Sequence, residues 1–294
     1  MHIRIVSPSA TMDHSLIDKA ADVLKSWGHE VSLGKNCKCR YGGAAGTPEE
    51  RLQDLNEAYA DPTVDAILCS RGGYGLAQII DKVIVNKHKL LMGFSDITCL
   101  HCLNGINNIP SLHSIMAKHI ATLPSDSEPL LSLKSILDGN DVHYNLNTSP
   151  YSRLGEMSGV LRGGNLSVFY GLQGTPYQVI KENTILFIED ISEPQYHIDR
   201  MLQNLRMSGL LESLKGIIVG QFADCEDDPR LCCTLKETIL RAVEPYDYPV
   251  LFDFPAGHVD YNLPVFMNTM THVAIENETT SLLQWNPFIV TQDR

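Results

Sequence analysis

The chain has no surplus of positive charge: 23 Lys and Arg stand against 35 Asp and Glu, a net charge of −12. An acidic surface repels a phosphate backbone, which excludes nucleic acid as a principal partner. Long apolar runs are missing too. No segment reaches the roughly eighteen uninterrupted apolar residues that a spanning helix needs. The opening MHIRIVSPSATMDHS has no apolar stretch after its basic residue, so we expect no signal peptide and no membrane partner. Eight cysteines in 294 residues are too sparse for a disulfide scaffold. Cys99-Leu100-His101-Cys102 could be half a metal site, but neither Cys37/Cys39 nor Cys232/Cys233 has the spacing of a second half. Reduced, mostly buried thiols, a cytoplasmic protein and no metal or organic cofactor are the expectation. Tryptophan is limited to Trp27 and Trp285, which leaves no assignable platform for stacking a nucleobase. No internal repeat or low-complexity tract occurs.

Strand and helix signals alternate through the first half. Ile3 to Val6 is β-rich, and Leu16, Ala20, Leu24 and Trp27 then recur at helical spacing up to Gly28. Thr47-Pro48-Glu49-Glu50 has the makings of a capping box that starts a helix through about Tyr59. Val64 to Cys69 and Lys89 to Phe94 read as buried strands, followed by helices over Leu76 to Val83 and Asp96 to Leu103. This alternation predicts an α/β fold with a parallel, doubly wound sheet whose ligand sits beyond the strands' carboxyl ends. At about 150 residues per domain the length allows two domains. The pattern weakens into Asn, Ser, Thr and Pro near 141–155, so we expect an N-terminal domain over 1–140, a linker over 141–155, and a strand-rich α+β domain over 156–294.

Four segments could carry chemistry. Gly93-Phe94-Ser95-Asp96 places a serine between a strand and a helix, where a nucleophile elbow would expose its hydroxyl; the plainer alternative is a helix cap. Arg71-Gly72-Gly73-Tyr74-Gly75 follows another strand and could bring free N–H groups to an anion, or could be a tight turn. Glu189 ends the run Ile185-Leu186-Phe187-Ile188 and could orient a histidine. His258 follows Pro255-Ala256-Gly257 on a loop suited to a general base, with His113 its main rival; His101 and His119 read as packing residues.

In order along the chain, Ser70-Arg71-Gly72-Gly73-Tyr74-Gly75, Gly93-Phe94-Ser95-Asp96-Ile97-Thr98, Leu161-Arg162-Gly163-Gly164-Asn165-Leu166, Gly174-Thr175-Pro176-Tyr177, Leu186-Phe187-Ile188-Glu189-Asp190, Asp199-Arg200-Met201-Leu202 and Gly257-His258 together resemble the LD-carboxypeptidase family. These are serine peptidases that include the microcin C immunity proteins. The resemblance covers nearly the whole chain. It implies a flavodoxin-like N-terminal domain carrying the serine, a β-rich C-terminal domain carrying the acid and base, a site between them, and a homodimer. By motif the triad falls on Ser95, Glu189 and His258, and the oxyanion donors on the N–H groups of Asp96 and of Gly72, favoured over Gly73. Two departures touch the pocket walls: Ser114-Ile115 after His113, and Val265 after Pro264, each where the family often has glycine.

The reaction so implied is hydrolysis of the amide between an L-centre and the terminal D-alanine of a murein tetrapeptide. A free carboxylate favours a cation or a cluster of N–H groups near the scissile bond, so Arg71 or Arg162 is expected to contribute, the alternative being an arginine that ties the two domains together by ion pairs, with Gly73, Tyr74 and Asn165 as further substrate contacts. Cleavage of a peptide-nucleotide or aminoacyl-adenylate by the same triad is the rival enzyme reading. A non-catalytic ligand-binding module is the rival from another class. A glutamine amidotransferase would need cysteine at the elbow, and Cys99 comes a turn too late.

Overall fold

The computed structural model of the chain describes residues 1–288. Strands β1 (His2–Val6), β2 (Glu30–Leu33), β3 (Ala66–Cys69), β4 (Leu90–Gly93) and β5 (Ser111–His113) run parallel in the order 2-1-3-4-5, the flavodoxin-like arrangement. β3 and β4 are buried at every position, which is why both read as unbroken apolar runs. Eight helices are described: α1 (His14–Ser26), α2 (Pro48–Ala60), α3 (Thr98–Ile106), α4 (Ala117–Thr122), α5 (Glu128–Leu137), α6 (Leu166–Gly171), α7 (Gln195–Met207) and α8 (Leu235–Ala242). The Thr47 capping box forms in both directions and starts α2 where the sequence places it. None of the described helices is long and apolar enough to cross a membrane.

The second half supplies β6 (Val142–Asn147), β7 (Gly155–Asn165), β8 (Thr184–Ile191), β9 (Leu214–Ala223), β10 (Val250–Leu251), β11 (Val265–Met267), β12 (Met270–Ile275) and β13 (Thr279–Gln284). Seven of these form a mixed sheet in the order β10-β9-β8-β7-β12-β13-β6, with β7 to β10 parallel. The eighth, β11, crosses back and joins the first sheet antiparallel to β5. The two halves are therefore laced together by backbone pairing.

Two expectations fail locally. The stretch 141–155 is not a plain linker, because β6 occupies 142–147 as the edge strand beside β13. Its alternation is there to be read: Val142 and Tyr144 face inward and His143 and Asn145 outward, but the polar half looks like loop composition. The expected helix over Leu76 to Val83 forms as two short 3-10 turns, Leu76–Gln78 and Ile80–Lys82. Gly75 offers no side-chain cap, and the β-branched Ile79, Ile80 and Val83 disfavour a regular helix.

Candidate active site

Phe94 leaves β4 in an extended conformation, and the chain then turns at Ser95 with φ 68°. A left-handed value costs a non-glycine residue about 1–2 kcal/mol, so the packing around it must hold it there. Ser95 Oγ caps no helix; its hydrogen bond goes to His258 Nε2 at 2.9 Å. His258 Nδ1 lies 2.7 Å from Glu189 Oε2. A carboxylate can only accept, so Nδ1 carries a proton, and in its neutral form the ring offers Nε2 to the serine hydroxyl.

Glu189 is fully buried on β8, and its other oxygen, Oε1, has no partner among the described residues. Gly257 lets the His258 loop pass over it: at φ 136° a Cβ there would sit 3.0 Å from Glu189 Oε2. Burial pushes the His258 pKa down. The hydrogen bond and charge of Glu189, with Asp190 behind them, oppose that push, and the net direction is upward from 6.5. Phe94 sets its buried ring against the imidazole, with centroids 4.9 Å apart. Asp190, also buried, is pushed up to about 6 by burial, against hydrogen bonds that include the N–H groups of Ile191 and Ser167.

The Arg71 to Gly75 loop closes the other side. An added Cβ at Gly72 would stand 2.6 Å from Ser95 Cβ and 2.8 Å from Oγ, so only glycine permits the approach. Among the described residues the N–H groups of Asp96, Gly72 and Gly73 have no acceptor. Free donors thus stand on the residue after Ser95 and on the glycine packed against it, beside a hydroxyl that has a histidine behind it, an arrangement able to attack a carbonyl and hold the resulting oxyanion.

Comparison with known proteins follows the same segments. The model of the LD-carboxypeptidase N-terminal domain matches residues 3–114, and that of the C-terminal domain matches 158–273. The probable murein peptide carboxypeptidase of Bacillus subtilis is 34% identical over 289 residues, covering 93% of this chain and 90% of that protein. The chain belongs to the LD-carboxypeptidase family. The murein tetrapeptide carboxypeptidase of Pseudomonas aeruginosa, 29% identical, covers 87% of each chain. The solved muramoyltetrapeptide carboxypeptidase from Oxalobacter formigenes superposes with a TM-score of 0.88 over 97% of this chain and 99% of that one, at 24% identity. The microcin C7 self immunity protein MccF shares the fold at a TM-score of 0.83 and 20% identity, over 96% and 95% of the two chains. As an LD-carboxypeptidase the chain is a peptidase.

The remaining LD-carboxypeptidase motifs separate in space. Arg162 does not come to the serine. It is buried on β7, and its Nη1 donates to Thr184 Oγ1 at 2.8 Å. Thr184 begins β8 five residues before Glu189, about 16 Å away at 3.3 Å per residue. Asn165 is also buried. Its Nδ2 donates to Asp190 Oδ1 at 2.8 Å, and its N–H to Thr98 Oγ1 at 3.0 Å, so it joins β7 to α3 and braces the Glu189-Asp190 corner. Gly164 belongs to the same joint, since a Cβ there would be 2.5 Å from Thr98 Oγ1.

Arg71, Gly73 and Tyr74 stay at the surface, with Gly73 and Tyr74 exposed. Arg71 and Arg40 line a cavity of about 650 Å³ with Thr11, Met12, Asp13 and His14. Arg71 donates to the Thr11 carbonyl and Arg40 to that of Gly42, and among the described residues neither forms an ion pair. On the other side of the loop, Tyr41 and Tyr74, each 66% exposed, flank an opening of about 360 Å³ that includes Ala10. His113 is fully buried between the rings of Phe94 and Phe187, so it cannot serve as the base.

Sequence reading missed the loop after β1, where Ser9 and Ala10 meet the site. Its signal was the run of small residues Ser7-Pro8-Ser9-Ala10-Thr11 beyond a strand's carboxyl end. Among the described residues no group of three or more His, Cys, Asp or Glu could hold a metal ion.

Proposed function

We propose that this LD-carboxypeptidase removes the terminal D-alanine from murein tetrapeptides by a Ser95-His258-Glu189 mechanism. The observation that carries the reading is the unbroken relay from Ser95 Oγ through both ring nitrogens of His258 to buried Glu189, at 2.9 and 2.7 Å. His258 takes the Ser95 proton as Oγ attacks the carbonyl carbon. The N–H groups of Asp96 and of Gly72 or Gly73 receive the oxyanion, each worth about 3–4 kcal/mol in such sites. The protonated His258 then gives its proton to the departing D-alanine nitrogen, leaving an acyl-Ser95 ester. Water, deprotonated by His258, attacks that ester and releases the tripeptide. Glu189 holds the ring in place and stabilises its charged form throughout.

The substrate assignment is supported by the similarity to the probable murein peptide carboxypeptidase of B. subtilis and the murein tetrapeptide carboxypeptidase of P. aeruginosa. Arg71 supplies the cation for the free carboxylate: it adjoins the oxyanion loop and has no carboxylate partner. The eight free cysteines fit a reducing, cytoplasmic setting. A homodimer is carried over from the family resemblance. The exposed pair Tyr41 and Tyr74 beside Gly73 favours one second reading, cleavage of an aminoacyl-adenylate, because these rings could face a nucleobase.

The test incubates wild type and Ser95→Ala with lysine-type and diaminopimelate-type tetrapeptides and with an adenylate analogue, following D-alanine by mass spectrometry. D-alanine release by wild type alone is the expected result. Rapid adenylate cleavage with no D-alanine would replace the murein reading by the second one.

A further inference from the structure

The oxyanion hole needs only the backbone of Asp96, yet its side chain is also engaged. The carboxylate is buried, and Oδ2 accepts from Ser9 Oγ at 2.6 Å and from the Leu76 N–H at 3.0 Å. Ser9 is followed by Ala10, whose N–H donates to the Gly72 carbonyl at 3.2 Å. Leu76 closes the segment that Gly72 opens. Both ends of the glycine loop are thus tied to one carboxylate, directly at Leu76 and through Ser9-Ala10 at Gly72.

This bracing has a job to do. Gly72, Gly73 and Gly75 give the loop more freedom than any other composition would, and free donors in a loose loop are poor oxyanion ligands. In a trans peptide the carbonyl and the next N–H point in opposite directions. Bonding the Gly72 carbonyl to Ala10 therefore turns the Gly73 N–H away from Ala10 and leaves it unpaired. The position is costly for an acid: burial pushes the Asp96 pKa up, opposed by the bonds from Ser9 and Leu76 and by the charge of Arg51. An apolar residue would avoid that cost but leave the Leu76 N–H without an acceptor.

We propose that the Asp96 carboxylate is a positioning residue, which holds the Gly72-Gly73 N–H groups level with the Asp96 N–H so that the donors converge on one oxygen. This rests on Ser95 being the nucleophile.

The test compares Asp96→Ala, Asp96→Asn, Ser9→Ala and Ser95→Ala. Active sites are counted by fluorophosphonate labelling, and kcat per labelled site, KM and the labelling rate constant are measured. Losing one well-placed donor costs about 10²–10³ in kcat, so Asp96→Ala should lower kcat per site and labelling rate at least about 30-fold with KM nearly unchanged. Asp96→Asn should recover most of this, because an amide oxygen can accept both bonds. Ser9→Ala, which cuts one of the two ties, should lose about 3–10-fold in kcat and serves if Asp96→Ala does not fold. An unchanged kcat per site in Asp96→Ala or Ser9→Ala, or an Asp96→Asn as impaired as Asp96→Ala, would overturn the proposal. Labelling that survives in Ser95→Ala would instead overturn the nucleophile assignment beneath it.

Discussion

Replacing Gly72 by alanine would put a methyl carbon 2.6 Å from Ser95 Cβ, 2.8 Å from Oγ and 3.3 Å from the Phe94 carbonyl oxygen. Ordinary contact begins at 3.4 Å, so the carbon pair falls short by about 0.8 Å. Rotating the serine side chain cannot relieve this, because backbone alone sets the Cβ position and Ser95 is wedged at φ 68° between β4 and α3. The glycine loop must therefore retreat, carrying its N–H groups with it. A misplacement of about 1 Å in a catalytic group costs on the order of 10²-fold, so kcat for D-alanine release should fall about a hundredfold with KM little changed. Unfolding free energy should drop by about 1–3 kcal/mol, as for other overpacked sites. Gly171→Ala is the control, since nothing lies within 4 Å of its added carbon. Steady-state kinetics with urea unfolding on both variants gives the answer. A folded Gly72→Ala enzyme with kcat within about threefold of wild type would refute the oxyanion-loop geometry.

Glu189→Gln should lower the kcat/KM plateau by about 10³–10⁴-fold and shift its acid limb. With His258 as the proposed neutral base and its pKa raised above 6.5, activity in wild type should rise with pH through a midpoint above 6.5. Without the Glu189 charge the downward push of burial dominates and the limb should move to lower pH; a limb that stays put would show that Glu189 does not set this pKa. The sign for stability is opposite: the His258-Glu189 contribution is complete below 6.5 and disappears as pH rises through the higher folded value. Ser95→Gly should be more stable than Ser95→Ala by up to about 1 kcal/mol, because glycine accepts the left-handed turn and its extra unfolded-state entropy offsets only part of the gain. Equal midpoints in thermal unfolding would mean that the elbow stores no strain.

Local signals carried much of the architecture. The strand runs at β1, β3, β4 and β8, the Thr47 box and the Gly28 stop each depend on neighbours in sequence, and each element formed where its pattern lay. The losses came where context beyond the element decided. β11 has three residues and exists because β5 offers it an open edge. β6 hides half its residues in loop-like composition, and the helix expected after Gly75 yielded to β-branched residues. In the site, Arg71 and Arg162 looked alike, each an arginine beside a glycine pair. Only the tertiary structure separates them: Arg71, in the loop beyond β3, lines the opening with Thr11, whereas Arg162, inside β7 paired with β8, is turned to Thr184.

The sequence by itself determined the chemical parts and their order: an acidic chain, a serine at a strand exit, a carboxylate directly after the apolar run of a later strand, and a histidine after Gly257. Those follow from residue type and short-range spacing. Tertiary structure alone decided that Gly72 touches Ser95, that Glu189 is fully buried under the His258 loop, and that one carboxylate, Asp96, ties Ser9 to Leu76. These contacts join residues 20 to 87 positions apart. No local pattern encodes such distances, because they are fixed by how strands order themselves in a sheet and how closely glycine lets backbones approach.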